Sequence, residues 1–152
     1  MNEALSRLAT ELGLSDPANE SLGLAFGLAC AERVGHLLED PMAGQCLAVL
    51  RAFVDGKTSR AALQAASKKI AAVANSHRGS NSIDGSAHAA VSATYAVANA
   101  LAGRALEAAS YAAYATVYPY GGYAVNDPSS FGSEASEMRS SVLPRVALNG
   151  CR

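Results

Sequence analysis

The chain has no tryptophan, and aromatic residues make up only 6% of its 152 positions. A core built on bulky rings is therefore excluded. The apolar half of the composition is carried by alanine with leucine and valine, and alanine is the residue that best suits helices. Persuasive strand runs with a period of two are also missing, which leaves a β-architecture without a basis. The three cysteines, Cys30, Cys46 and Cys151, are an odd number without paired spacing, so neither a disulfide framework nor a zinc or redox motif is expected, and they read as reduced thiols. The formal charge is only −1, and without a basic surface overall no nucleic-acid partner is expected. Met1-Asn2-Glu3-Ala4 lacks the basic stretch and apolar core of a secretory signal, so a cytoplasmic location is the expectation. The charge-free run from Ala87 to Gly103 is rich in Ala with Ser, Thr and Asn, residues that gain little from lipid, so no membrane span is expected either.

What is present points to one domain spanning residues 1–152, an all-α single compact bundle of about five to seven helices. A chain of this length buries roughly two thirds of its unfolded surface in one core. The near-neutral total hides an asymmetry: up to Asp55 there are eight acids against three arginines, net −5, and from Gly56 onward nine bases against five acids, net +4. Polar contacts between the halves, or with a partner, follow from it. Leu5, Leu8 and Leu12 mark a first helix from Asn2 to Leu12, stopped by Gly13. Asp16-Pro17 and Asp40-Pro41 each combine a capping carboxylate with a proline at the first helical position. The helix after Asp16 carries Leu22, Phe26, Cys30, Val34 and Leu38 at every fourth place, is apolar over much of its circumference up to Glu39, and is the candidate central helix. The helix after Asp40 should face inward with Met42, Cys46, Val49 and Phe53, beside Leu47, Leu50 and Val54, and end at Gly56. Thr58 can cap a fourth, with Leu63, Ala66, Ile70 and Val73 inside and Lys57, Arg60, Gln64, Lys68 and Lys69 outside. From Ser86 to about Tyr118 an Ala-rich pattern runs on, with Gly103 either a kink or a break, and Val91, Tyr95, Ala98, Ala102, Leu106 and Ala109 as its inward row. A tyrosine-rich loop follows over 119–133, and a last helix over 134–148.

Catalytic and metal chemistry is hard to place. Cys30 and His36 are six apart, and His36, His77 and His88 could meet only through the fold; no metal site is expected. Ser82, Asp84, Ser86 and His88 crowd one segment, but sequence adjacency is not triad geometry, and a loop with a helix cap explains the same residues. Glu32 and Glu107 are the acids inside the long apolar helices; Arg33 and Arg104 lie close enough in sequence for ordinary salt bridges. Gly23 and Gly27 form a small-xxx-small pair, the mark of close helix packing. No phosphate loop is present. No catalytic residue, cofactor or metal ligand is assigned.

Tyr114, Tyr118, Tyr120, Tyr123 and Phe131 concentrate most of the large aromatics in one region. Tyrosine offers a wide apolar face, a hydroxyl and little side-chain entropy to lose, which suits binding hot spots; the same rings could instead close one end of the bundle. The expected partner-binding residues are Tyr118, Tyr120, Tyr123 and Phe131, with Asp127 and Glu134 as polar neighbours.

Ala29-Cys30-Ala31-Glu32-Arg33-Val34, then Asp40-Pro41, then Leu47-Ala48-Val49-Leu50-Arg51-Ala52-Phe53-Val54-Asp55-Gly56 resembles the opening of a bacterial immunity protein family of polymorphic toxin systems, the fifth in its numbered series. Tyr95-Ala96-Val97-Ala98-Asn99-Ala100 and Ala105-Leu106-Glu107-Ala108-Ala109-Ser110-Tyr111-Ala112 resemble that family's Ala-rich later helices, and the likeness spans about 22–118. The family carries histidines in the second stretch where this chain has Tyr95 and residues near Leu101 and Arg104, so no histidine-dependent role is implied. The resemblance implies a cytoplasmic helical protein that binds and neutralises a cognate protein toxin and has no enzyme activity. Two rival readings remain: an enzyme or small-ligand-binding protein with a pocket between helices, using Arg33, Glu107, His88 or Tyr95, and a self-associating scaffold, a homo-oligomer paired through its Ala-rich helix.

Overall fold

Asp40-Pro41 starts an α-helix as expected, whereas Asp16-Pro17 starts a 3-10 turn and the α-helix that follows begins only at Glu20, where Asn19 makes no side-chain cap bond. Asp40 Oδ1 accepts the backbone N–H of Met42 at 2.8 Å, and Asp16 Oδ1 that of Ala18 at 2.9 Å, each satisfying a donor that an N-terminus leaves without an intrahelical partner. In the computed structural model, which describes residues 3–76 and 86–117, the helices are α1 (Glu3–Glu11), α2 (Glu20–Arg33), α3 (Pro41–Val54), α4 (Arg60–Ser76), α5 (Ser86–Leu101) and α6 (Ala105–Val117), with 3-10 turns at Pro17–Asn19 and Gly35–Leu37. The protein is thus an all-α helical bundle, with no strand among the described residues. The tyrosine loop over 119–133 and the helix over 134–148 lie outside them. No helix among the described residues is long and apolar enough to cross a membrane.

Two apolar clusters share one wall. On one side Leu5 and Leu8 of α1 and Ala105, Ala109, Ala112 and Ala113 of α6 close on Phe26, Cys30 and Val34. On the other, Cys46, Leu47 and Leu50 of α3 and Leu63, Ala66 and Ile70 of α4 close on Leu24, Leu28, Val97 and Leu101. Both α2 and α5 contribute to each cluster, and α5 packs against α2, α3, α4 and α6. The centre is therefore a pair of helices, and α5 has the larger part of it. Full burial of Phe26, Leu28, Leu50 and Ile70 contributes about 1.5–3 kcal/mol apiece.

The α2–α5 wall depends on Gly27. A Cβ placed there would stand 3.1 Å from both Cα and Cβ of Ala100, closer than the roughly 3.5–4.0 Å of an ordinary carbon contact. The small-xxx-small pair thus serves close packing at this member.

Several sequence expectations shift on inspection. The second helix is shorter than its four-residue rhythm implies: α2 ends at Arg33, Val34 caps it, and Gly35–Leu37 forms a separate turn. Leu38 is extended with ψ 122° as the chain approaches the Asp40–Pro41 start. The inward stripe of α3 is Ala43, Cys46, Leu47 and Leu50, while Met42, Val49 and Phe53 are half-buried. The fourth helix is capped one residue later than expected, by Ser59, whose Oγ accepts the N–H of Ala62 at 3.2 Å. The asymmetry of charge is answered by a contact between the halves: Arg60 of α4 donates to both carboxylate oxygens of Glu20 at 2.9 Å and lies 5.3 Å from the Phe53 ring centroid. Hydrogen bonding from Arg60, reinforced by its charge, lowers the Glu20 carboxyl pKa.

The Ala-rich run is divided. Gly103 adopts φ +73°, its N–H reaches Ala100 O at 3.1 Å and that of Arg104 reaches Asn99 O at 2.9 Å, a pair of bonds that ends a helix through a left-handed residue. Glycine enters that region without a Cβ penalty. Gly103 is a break, and α5 and α6 form an antiparallel hairpin around it.

Candidate partner-binding surface

An alanine-rich helix gives little periodic contrast, because alanine serves on either the buried or the exposed side. The row Val91, Tyr95, Ala98, Ala102, Leu106 and Ala109 is accordingly inward only in part. In α5, Ala89, Ala93, Ala96, Val97, Ala98 and Ala100 are buried, while Val91 and Tyr95 are half-buried; past the end of α5, Ala102 is exposed. The row lies at the margin of the core: Ala98 and Ala109 are buried, Tyr95 and Leu106 are half-buried against the core clusters, and Tyr95 and the neighbouring Tyr111 each keep part of the ring at the surface.

Tyr95 lies eight residues before Gly103 and Tyr111 eight after, so the hairpin places them level. Their rings stack with centroids 5.1 Å apart and planes 21° from parallel, an arrangement that contributes about 0.5–1.5 kcal/mol beyond buried area. Both are half-buried, and Tyr114, one turn past Tyr111, is 37% exposed, the largest exposed apolar side chain among the described residues. Neither the Tyr95 nor the Tyr111 hydroxyl has a hydrogen-bond partner among the described residues.

Polar side chains border the rings. Ser92 and Asn99 are buried beside Tyr95 on α5, and Asn99 Nδ2 donates to the Tyr95 carbonyl at 2.8 Å. On α6, Ser110 Oγ donates to Leu106 O at 3.0 Å and Thr116 Oγ1 to Ala112 O at 3.0 Å. These bonds return side-chain polarity to the helix's own carbonyls. Glu107, one turn before Tyr111, is exposed, and the expected salt bridge to Arg104 is not formed: their side chains make no ion pair among the described residues. Glu32 instead reaches across from α2 to Arg51 of α3 at 2.7 Å.

Of the expected partner-binding residues, Tyr118, Tyr120, Tyr123, Asp127, Phe131 and Glu134 lie outside the described residues. The stacking of Tyr95 on Tyr111 is not among the expectations from sequence; the signal available is their symmetric spacing about Gly103. The groups required by a pocket enzyme do not all converge: His88 is exposed near the start of α5 and Glu107 near that of α6, about 16 Å apart along the hairpin at helical rise. Ser82 and Asp84 lie outside the described residues. Among those described, no three His, Cys, Asp or Glu side chains gather as a metal site would require. Cys46 is buried against α4, its Sγ 3.5 Å from Ala66 O, and burial raises its thiol pKa.

Comparison with protein families, characterised proteins and solved structures finds no match to this chain.

Proposed function

We propose that this is a non-catalytic immunity protein that binds and neutralises a cognate bacterial toxin in the cytoplasm. The observation that carries the reading is the half-buried tyrosine pair of the α5–α6 hairpin with the exposed Tyr114 beside it. Tyr95 and Tyr111 are held in a stack by the hairpin, with Tyr114 exposed beside them, and in sequence Tyr111 and Tyr114 stand seven and four residues before Tyr118. Aromatic anchors pre-positioned on rigid helices lose little entropy on binding, which is what a tight inhibitor needs. The likeness of Ala29–Val34 and Leu47–Gly56 to an immunity family supports the same reading from the sequence.

A tight complex of this type buries about 1,600 Å². The toxin-domain product of a neighbouring gene, produced together with this protein, should form a stable complex and lose its toxicity. A product that stays toxic and elutes separately rejects the reading. Within such a complex, replacing Tyr120 and Tyr123 by Ala should weaken binding while the monomer remains folded; unchanged affinity with a lower melting temperature assigns those rings to the core.

A further inference from the structure

The arginines that pair with another helix differ in what they leave open. Arg60 spends Nη1 and Nη2 on the two oxygens of Glu20, at 2.9 Å each, which closes its fork. Arg51 is held at the other end: its Nε donates to Glu32 Oε1 at 2.7 Å, and neither Nη group has a hydrogen-bond partner among the described residues. The Glu32 side chain is 19% exposed and that of Arg51 is 52% exposed. The guanidinium is thus oriented by a carboxylate set into the surface between α2 and α3, while its two-pronged end stays accessible. A planar fork with both prongs open matches one carboxylate end-on, and orientation before contact removes part of the entropy that binding would cost.

The surroundings narrow the ligand. Gly44, Ala48 and Arg51 share one side of α3 by their spacing; Gly44 and Ala48 are exposed, and a Cβ at Gly44 would meet nothing within 4 Å. A partner's main chain can therefore lie close to α3 beside the fork. The local charge is balanced, since Glu32 faces Arg51, and Asp55, one turn further on, stands 4.0 Å from Lys57. A balanced site with two acids nearby disfavours a dianionic phosphate and tolerates a single carboxylate.

We infer that Arg51, positioned by Glu32, is an anchoring site for an aspartate or glutamate side chain of a protein partner lying across α3. The site is separate from the α5–α6 tyrosines and does not rest on the immunity reading. The test follows the arginine side-chain nitrogen signals of the whole protein by NMR, at constant ionic strength, while acetyl-Gly-Asp-Gly-amide, its Asn counterpart or inorganic phosphate is added. The Asp peptide should shift the Arg51 signals saturably, with an apparent affinity at least about threefold tighter than at exposed Arg7. The Asn peptide and phosphate should each act more weakly there. Glu32→Gln should remove the difference between Arg51 and Arg7 while circular dichroism stays unchanged. An Arg51 response equal to that of Arg7, equal effects of the Asp and Asn peptides, stronger binding of phosphate, or an unaltered preference in Glu32→Gln would each overturn the assignment. A toxin that fails to bind rejects the proposed function and leaves this result standing on its own.

Discussion

The same substitution, glycine to alanine, should have opposite signs at two positions of this bundle. In a helix interior alanine is favoured over glycine by about 0.8–1.0 kcal/mol. At Gly44, exposed on α3, an added Cβ meets nothing within 4 Å, so Gly44→Ala should realise that gain, stabilising by about 0.5–1 kcal/mol. At Gly27 the added Cβ stands 3.1 Å from Cα and Cβ of Ala100. Relief requires α2 and α5 to part by roughly half an ångström to regain an ordinary carbon contact. The obstacle includes main chain, and α5 is hemmed in by α3, α4 and α6 as well as α2, so it cannot yield without disturbing its other interfaces. Overpacking of this kind costs about 1–3 kcal/mol. Set against the propensity gain, Gly27→Ala should destabilise by about 1 kcal/mol net, lowering the melting temperature by about 2–4 °C for a chain of this size. Urea denaturation followed by circular dichroism reads both variants. Adding Ala100→Gly to Gly27→Ala should recover more than the separate effects imply, with a coupling of at least about 0.5 kcal/mol. If Gly27→Ala proves as stabilising as Gly44→Ala, the close approach of the two central helices is refuted.

Other consequences are read by the same assay. Gly103→Ala places a Cβ on a residue at φ +73° and should cost about 1–2 kcal/mol; no loss would mean that the α5–α6 turn does not depend on that conformation. Asp40→Ala removes the acceptor for the Met42 N–H and should cost about 0.5–2 kcal/mol, whereas Asp40→Asn should retain most of the cap. Arg60 lowers the carboxyl pKa of Glu20 below its unfolded value, so this carboxylate stabilises the fold above the unfolded pKa of about 4.3 and ceases to do so as pH falls through the folded one. Wild type and Glu20→Gln should accordingly converge in stability as the solution is acidified, and a gap that widens toward low pH contradicts the pairing. Cys30 and Cys46 are buried and should resist alkylation in the native protein; rapid labelling at either, located by mass spectrometry, contradicts their placement.

How much of this was legible from residues depended on contrast. Both aspartate–proline signals mark caps that form, because a cap acts locally, but only Asp40 caps an α-helix, while Asp16 caps a 3-10 turn ahead of α2. The amphipathic α4 was legible for a similar reason: its lysines and Gln64 leave Leu63, Ala66 and Ile70 little choice of side. The ambiguity grew with alanine content. Along α5 and the turn after it most positions are small enough to be buried, so the pattern does not tell Ala96, which is fully buried, from Ala102, which is exposed, and Tyr95, placed inward by the pattern, is half-buried at the edge of the core. The rhythm of Leu22, Phe26, Cys30, Val34 and Leu38 suggested one long helix, yet it continues past a helix end because a 3-10 turn presents its residues at nearly the same interval. The Glu32–Arg51 contact joins residues nineteen apart on neighbouring helices, and no local spacing rule reaches it. Gly103 was identifiable as a point of change but not as a break, since that distinction lies in one backbone angle.

Binding through phenolic anchors is the claim on which the functional account stands. Calorimetric titration of the cognate toxin into wild type and into a Tyr114→Ala, Tyr120→Ala, Tyr123→Ala variant, with the melting temperature of each, tests it most directly. The account predicts at least a hundredfold loss of affinity, about 2.7 kcal/mol, with a melting temperature that moves by no more than about 2 °C. An unchanged affinity accompanied by a large fall in melting temperature would contradict it.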